Sequence, residues 1–401
     1  MCEMSICAGR KRRNGEFLQK MEQQEDLYNI DELVRVAKRE NNAMRSYLYV
    51  NPLQGKHIPV SPSRALTLFA HMAGTLERGY EGKRLLVIGF AETATAIGAA
   101  LAYYAENAAY YMNTTREDVA AAEYLFFTES HSHATEQRLV KNRLAEVISD
   151  VDCVVFAEDE VTTGNTIEKL IRAITAEFDC GGCEFGIVSI LNSMSEVRLA
   201  ELESRGIKCD FIQKIPPMYR AEEIDKYEYK TPENAADSEF AGDFRRVNIG
   251  NYWNSRIAAP VALMKEKVDA FAAELVRNAD FRESPESVLI LGTEEFMFPA
   301  MLAGKMIEEK FPAAEVRFHA TTRSPIEVSD AEEYPLHLRR ALISLYDEGR
   351  RTFVYNLKKY ERIILATDAD SIAQIGLGSL LKALTDAGNG AVTAVQWRDE
   401  R

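Results

Sequence analysis

The stretch Val154-Val155-Phe156-Ala157-Glu158-Asp159-Glu160-Val161-Thr162-Thr163-Gly164-Asn165-Thr166 limits this chain more than any other. Val154 to Ala157 reads as a buried parallel strand, and the adjacent carboxylates Glu158 and Asp159 close it. A turn built on Thr162, Thr163, Gly164 and Thr166 then opens a helix whose apolar positions Ile167, Leu170, Ile171 and Ile174 keep helical spacing. Open α/β sheets bind ligands at the carboxyl edge, where this strand presents its acids. The turn offers hydroxyls and unpaired N–H groups at a helix start, which suits a phosphate. Carboxylates for vicinal hydroxyls beside a phosphate cradle fit a ribose 5-phosphate. The competing reading is a threonine-capped helix after a strand, with no ligand.

The same alternation recurs along the chain. Leu85 to Gly89 is a second apolar strand, followed by the turn Phe90-Ala91-Glu92-Thr93-Ala94-Thr95 and a small-residue helix. Further strands are expected near Ser46 to Val50, Ala108 to Asn113, Glu184 to Leu191 and Asp210 to Ile215. Repeated β-α-β units predict a mostly parallel sheet flanked by helices. Between Asn51 and Ser63 three prolines and a glycine interrupt both periods, and a helix is expected from Ser63 or Arg64. Tyr219 to Asp243 is charged and aperiodic. Beyond it the pattern restarts with strands at Val288 to Gly292, Val316 to His319, Ile363 to Ala366 and near Val392 to Val395. A chain of 401 residues has room for two cores. The expected division is a polar tail over 1–27, a first domain over 28–250 and a second, smaller α/β domain over 251–401.

A formal charge of −14 disfavours broad contact with nucleic acid or an anionic membrane, so a polyanionic ligand must meet a local cationic site. The basic run Arg10 to Arg13 reads as part of the solvated tail. Six scattered cysteines make no disulfide framework, and Cys180-Gly-Gly-Cys183 lacks a second ligand pair, which favours two free thiols. No stretch is apolar for long enough to span a bilayer, and the N-terminus lacks a signal-peptide core, so the cytoplasm is the expected location. His131 and His133 lie in the polar loop Ser130 to Thr135, with phosphate contact, proton donation and metal pairing all open to them. In the second half, Glu294, Thr322, Arg323, Ser324 and Asp368 stand in strand-end turns that would converge at one sheet edge. Arg323 with its flanking hydroxyls suits a carboxylate or phosphate.

The Val154 to Thr166 stretch resembles the 5-phosphoribosyl 1-pyrophosphate (PRPP) signature of type I phosphoribosyltransferases: apolar strand, two acids, then Thr-Thr-Gly-x-Thr. Here the acid pair is Glu158-Asp159 rather than two aspartates, Glu160 replaces a usual apolar residue, and Asn165 stands where glycine is common. The tetrad Thr322-Arg323-Ser324-Pro325 extends the likeness. A transferase domain followed by this tetrad resembles a bacterial family found in biosynthetic gene clusters associated with tellurite resistance and stress response. The resemblance implies a type I phosphoribosyltransferase fold followed by a second domain, named TRSP after the tetrad. It further implies a magnesium-dependent enzyme of nucleotide-like or nucleoside-like biosynthesis.

By the same resemblance, Glu158 and Asp159 hold the ribose hydroxyls and touch magnesium through PRPP, while Thr162, Thr163, Gly164, Asn165 and Thr166 hold the 5-phosphate. The turn Ala91, Glu92, Thr93, Ala94 takes the pyrophosphate. Glu92 fits that as a direct contact poorly, which leaves magnesium-bound water or an orientation away from the ligand. Arg116 is the expected cation for the pyrophosphate, and a closing loop would bring in His131 and His133. Expected partners are PRPP and an unidentified acceptor, with a homodimer left open. The rival expectation is a PRPP or nucleotide sensor without catalysis, and a weaker one is a phosphorylase or hydrolase of a related ribosyl phosphate.

Overall fold

In the computed structural model, residues 28–42, 45–127, 137–230, 242–281, 283–370 and 374–399 are described. The expected tail over 1–27 falls outside them. Among the described residues a short helix, Ile30–Leu33, comes first, and then an antiparallel hairpin of β1 (Arg35–Lys38) and β2 (Tyr47–Val50), of which the sequence pattern indicated only the second strand. The helix Pro62–Gly79 follows. Ser61 caps it by accepting from the Arg64 N–H, and Pro62 takes the first turn, so it starts a residue or two before the periodicity suggests.

The transferase-like half then supplies β3 (Leu85–Gly89), β4 (Ala108–Asn113), the small pair β5 (Tyr124–Phe126) and β6 (Arg138–Val140), and β7 (Cys153–Val161). After β7 come the helix Asn165–Glu177, β8 (Glu184–Asn192) and β9 (Ile207–Lys214). β7 runs past its four apolar residues and through the acids, because β8 continues alongside it and pairs Glu158 with Ser189 and Glu160 with Leu191. The second half supplies β10 (Asp243–Ile249), β11 (Ala259–Pro260), β12 (Ser287–Gly292), β13 (Glu315–Ala320), the hairpin β14 (Arg339–Ile343) and β15 (Arg351–Tyr355), β16 (Arg362–Thr367) and β17 (Ala391–Trp397).

Two sheets result. The first has the order β11-β4-β3-β7-β8-β9 and is parallel except for the edge strand β11. The second has the order β10-β17-β16-β12-β13 and is parallel throughout. β10 belongs to the second sheet, so the expected boundary at residue 250 falls one strand late. The reason is that charged Asp243 to Arg246 hides the strand from an apolar-run reading, although it pairs with β17 over its whole length. β11 crosses the other way and closes the β4 edge of the first sheet.

The chain order reverses between β3 and β7 in the first sheet and between β12 and β16 in the second. At such reversals the connections leave on opposite sides and open a crevice beyond the strand ends. The two halves are not separate cores. Leu86 and Phe156 of the first sheet and Ile290 and Val395 of the second lie in one apolar cluster, which also takes in the helices Val261–Asn278 and Phe298–Lys310. A shared core fixes the two crevices relative to each other.

Candidate active site

The first crevice receives the turn after β3 and the acids and loop at the end of β7. Gly164 has φ +70°, a conformation that favours glycine, and an added Cβ would stand 3.2 Å from Leu202 Cδ1. The helix Asn165–Glu177 begins there without a side-chain cap. Its first turn therefore leaves N–H groups free of intrahelical partners, at the positive end of the helix dipole. Arg198, which the sequence reading passed over, holds this loop from behind. Its Nε donates to the Thr163 carbonyl at 2.8 Å, Nη2 donates to Asn165 Oδ1 at 3.3 Å, and the guanidinium pairs with Glu168. Asn165, exposed, is thus turned toward Arg198. Thr163 and Thr166 are exposed and Thr162 is half-buried, so the hydroxyl-bearing turn is open to a ligand.

Glu158 and Asp159 are half-buried at the end of β7. Burial raises both carboxyls above their usual range, and for Glu158 the Asp159 charge adds to the rise. Such a pair gains from a cation or from hydroxyl donors. Glu160 has a different role: Arg45 of the N-terminal hairpin pairs with it at 2.7 Å, and Ser193 Oγ donates to it at 3.1 Å. Arg45 in turn lies over Tyr47 and Tyr49, which ties the hairpin to the carboxyl end of β7.

Across the crevice, the turn Ala91 to Ala94 is pinned at each residue. The Ala91 N–H donates to Thr114 Oγ1 at 2.8 Å, and Gln137 Nε2 and Gln54 Nε2 donate to the carbonyls of Ala91 and Thr93 at 3.1 and 3.0 Å. The turn sits close to the strand because Gly89 and Gly98 meet: a Cβ on Gly98 would lie 2.6 Å from Gly89 Cα. Glu92 is turned away from the crevice. It is buried against Lys56, itself 1% exposed, and against Arg323 of the second half at 3.3 Å. Burial alone would raise its carboxyl, but Lys56 and then Arg323 outweigh burial and hold it at about 2.

Arg323 is therefore not a free anion receptor. Its side chain is 9% exposed and faces Glu92, Glu117, Glu294 and Glu295. The other second-half candidates make the following contacts. The Thr322 hydroxyl accepts from the Ser324 N–H at 3.2 Å, Glu294 pairs with Arg323 and Arg350, and Asp368 pairs with Arg256 at 2.6 Å. Lys56, Glu117, Arg256, Glu295 and Arg350 complete this network and were not among the expected site residues. Lys56 had a visible signal, a lysine inside the Pro-rich segment Asn51 to Ser63. The others owe their importance to neighbours far away in the chain.

Arg116 joins the two regions. Its N–H donates to Glu295 at 2.9 Å, its buried Nε meets no acceptor, and the charges of Glu92 and Glu158 both act on its guanidinium. His131 and His133 lie outside the described residues. Cys180 and Cys183 are free thiols. Among the described residues no cluster of three or more His, Cys, Asp or Glu side chains could hold a metal, and no helix is long and apolar enough to cross a membrane. Two adjacent carboxylates with raised affinity for protons still fit a magnesium ion that brings its remaining ligands with a phosphate substrate and water.

Residues 33–215 match the family model described as phosphoribosyl transferase, and residues 257–384 match that of the TRSP domain found C-terminal to it. No curated protein matches the sequence. Among solved structures, adenine phosphoribosyltransferase from Rhodothermus marinus is similar at 15% identity and a TM-score of 0.32, over 46% of this chain and 96% of that one. The enzyme from Giardia lamblia complexed with 9-deazaadenine gives 10% identity and 0.33, over 46% and 94%. A hypoxanthine-guanine phosphoribosyltransferase from Bacillus anthracis gives 15% and 0.23, over 39% and 80%. With the two family matches in this order covering most of the sequence, the chain belongs to the phosphoribosyltransferases that carry a TRSP domain.

Proposed function

We propose that this chain transfers the 5-phosphoribosyl group of PRPP to a nitrogen nucleophile, with magnesium, and releases pyrophosphate. The observation that carries the reading is the pairing at one crevice of an open helix start at Gly164 to Thr166 with the acid pair Glu158-Asp159, opposite the pinned turn Ala91 to Ala94. The loop holds the 5-phosphate and the acids orient the ribose hydroxyls. The C1–O bond breaks with its electron pair leaving on pyrophosphate, and the C1–N bond forms as the nucleophile gives up a proton. Positive charge builds on the ribose ring meanwhile, as in glycoside chemistry. Arg116 faces the departing pyrophosphate, and bound magnesium would neutralise part of its charge.

The product is a nucleotide-like or nucleoside-like metabolite. The test is pyrophosphate release from PRPP and magnesium across a panel of purine and pyrimidine bases and amines. Release that depends on one class of acceptor supports transfer. Tight PRPP binding with no turnover on any acceptor would replace the reading with that of a sensor.

A further inference from the structure

The second crevice, between β12 and β16, opens into a cleft of about 1280 Å³ between the two halves. One wall is the segment that follows β4, from Arg116 to Ala120, with Phe126 and Arg138. The other comes from the second half and includes Arg256, Tyr346, Arg350, Arg351, Asp370 and Arg398. No residue of the Ala91 to Ala94 turn or of the Glu158 to Thr166 stretch lines it, so it is a space apart from the ribose phosphate crevice.

Six arginines border this cleft in a protein whose net charge is −14. Their present partners differ in strength. Arg256 is fixed between Glu295 and Asp368, all three buried. The partners of Arg138 and Arg398 are instead solvent carboxylates: Asp118 is 93% exposed and Asp370 is 59% exposed. Ion pairs to such exposed carboxylates are weak and readily exchanged, and a phosphate accepts from two guanidinium N–H groups at once. A phosphate can compete with these carboxylates for Arg138 and Arg398. Arg351, on the same lining, is exposed to solvent.

The rest of the lining is suited to the body of a small molecule. Phe126, 54% exposed, and Tyr346 offer aromatic surface, and Ile257 adds an aliphatic contact. The volume exceeds that of an isolated phosphate many times over and suits a mononucleotide. From this geometry we infer a second ligand site at the carboxyl edge of the second sheet, for a phosphorylated small molecule of nucleotide size. Arg398, Arg351 and Arg138 take the phosphate, while Arg350 stays with Glu117 and Glu294. Arg116, on the shared wall, faces both crevices. This site stands whether or not the first crevice performs transfer.

The test titrates AMP, and separately inorganic phosphate, into the full-length protein by calorimetry. The variants are Thr163→Ala, Arg351→Gln and Arg398→Gln. The expected result is an AMP-binding event that survives Thr163→Ala and weakens roughly tenfold or more in Arg398→Gln, as the loss of one charge-assisted contact requires. Arg351 is exposed, so Arg351→Gln reports the same weakening if Arg398→Gln fails to fold. Inorganic phosphate should compete with AMP at this event. AMP binding that vanishes with Thr163→Ala, that ignores both arginine substitutions, or that is absent at millimolar concentration overturns the inference. Pyrophosphate release from PRPP, measured on the same arginine variants, reports the first crevice separately.

Discussion

Arg323 of the second half lies 3.3 Å from Glu92 of the turn that follows β3, and the same guanidinium holds Glu294 at 2.7 Å. The family-defining arginine is thus a buried link between two turns, one at each crevice. Glu92 does not meet the ligand side of its turn because Lys56 and Arg323 hold it on the other side. The second half accordingly helps to shape the turn assigned to pyrophosphate.

Replacing Arg323 by Ala removes one of the two cations that face each of Glu92, Glu117 and Glu294, leaving Lys56 and Arg350. The expected loss is about 3–5 kcal/mol of unfolding free energy, measured by urea denaturation. Arg323→Lys restores charge but not the fork that reaches several carboxylates, so it should fall between. Equal stability of wild type and Arg323→Ala would mean that this network does not hold the halves together.

Asp159→Asn should separate activity from stability. The folded carboxyl titrates above its unfolded value, so ionising it opposes folding as pH rises through and above the unfolded pKa. Asparagine removes that opposition. At neutral pH the variant is expected to be as stable as wild type or more so, with the difference shrinking as pH falls below the carboxylate range. Its KM for PRPP should nevertheless rise roughly tenfold, the cost of one lost charged contact. Thr163→Ala should raise the same KM without the gain in stability. Unchanged kinetics in both variants would remove Glu158 to Thr166 from the active site.

How much of this was legible in the sequence follows from how local each feature is. β7, its acids and the Gly164 turn are consecutive residues with strong periodicity, so their order declared them. β1 and β10 were not visible, because a four-residue strand and a charged edge strand carry no apolar run. Arg323 was noticed but read as an exposed anion receptor, since its four acidic neighbours lie 28 to 231 positions away. Arg256 and Glu117 had no local signal at all. Buried ion pairs are products of topology, and topology is what a single strand-turn-helix motif leaves open.

Glu117 gives the clearest pH signature. Burial, then the Glu295 charge, raise its carboxyl to about 7, although Arg323 and Arg350 oppose the rise. Between the ordinary glutamate value and about 7 the folded protein holds a proton that the unfolded chain has lost, so this group's contribution to stability falls as pH rises through that window. Glu117→Gln cannot titrate. The stability of Glu117→Gln relative to wild type should therefore increase from pH 5 to pH 8, read as the difference in urea midpoints, and contributions of other acids cancel in that difference. A difference that stays flat across the range would mean that Glu117 is ionised throughout.

Arg198 tests whether the phosphate loop is pre-shaped. It reaches the Thr163 carbonyl at 2.8 Å and Asn165 Oδ1 at 3.3 Å from the side of the helix Glu196–Ser204, and pairs with Glu168 in the helix that the loop opens. It is a positioning residue, since it touches the loop and the helices around it, Glu168 and Glu201 included. Without it the turn around Gly164 must be ordered by PRPP itself, and that ordering is charged against binding. Arg198→Ala should therefore raise KM for PRPP by roughly tenfold while kcat changes little, because the reacting atoms keep their neighbours. Arg198→Lys should recover the Glu168 pair but only part of the KM, since one ammonium cannot reach both Thr163 and Asn165 with the geometry of a guanidinium. A fall in kcat with KM unchanged would show instead that Arg198 acts on the chemical step.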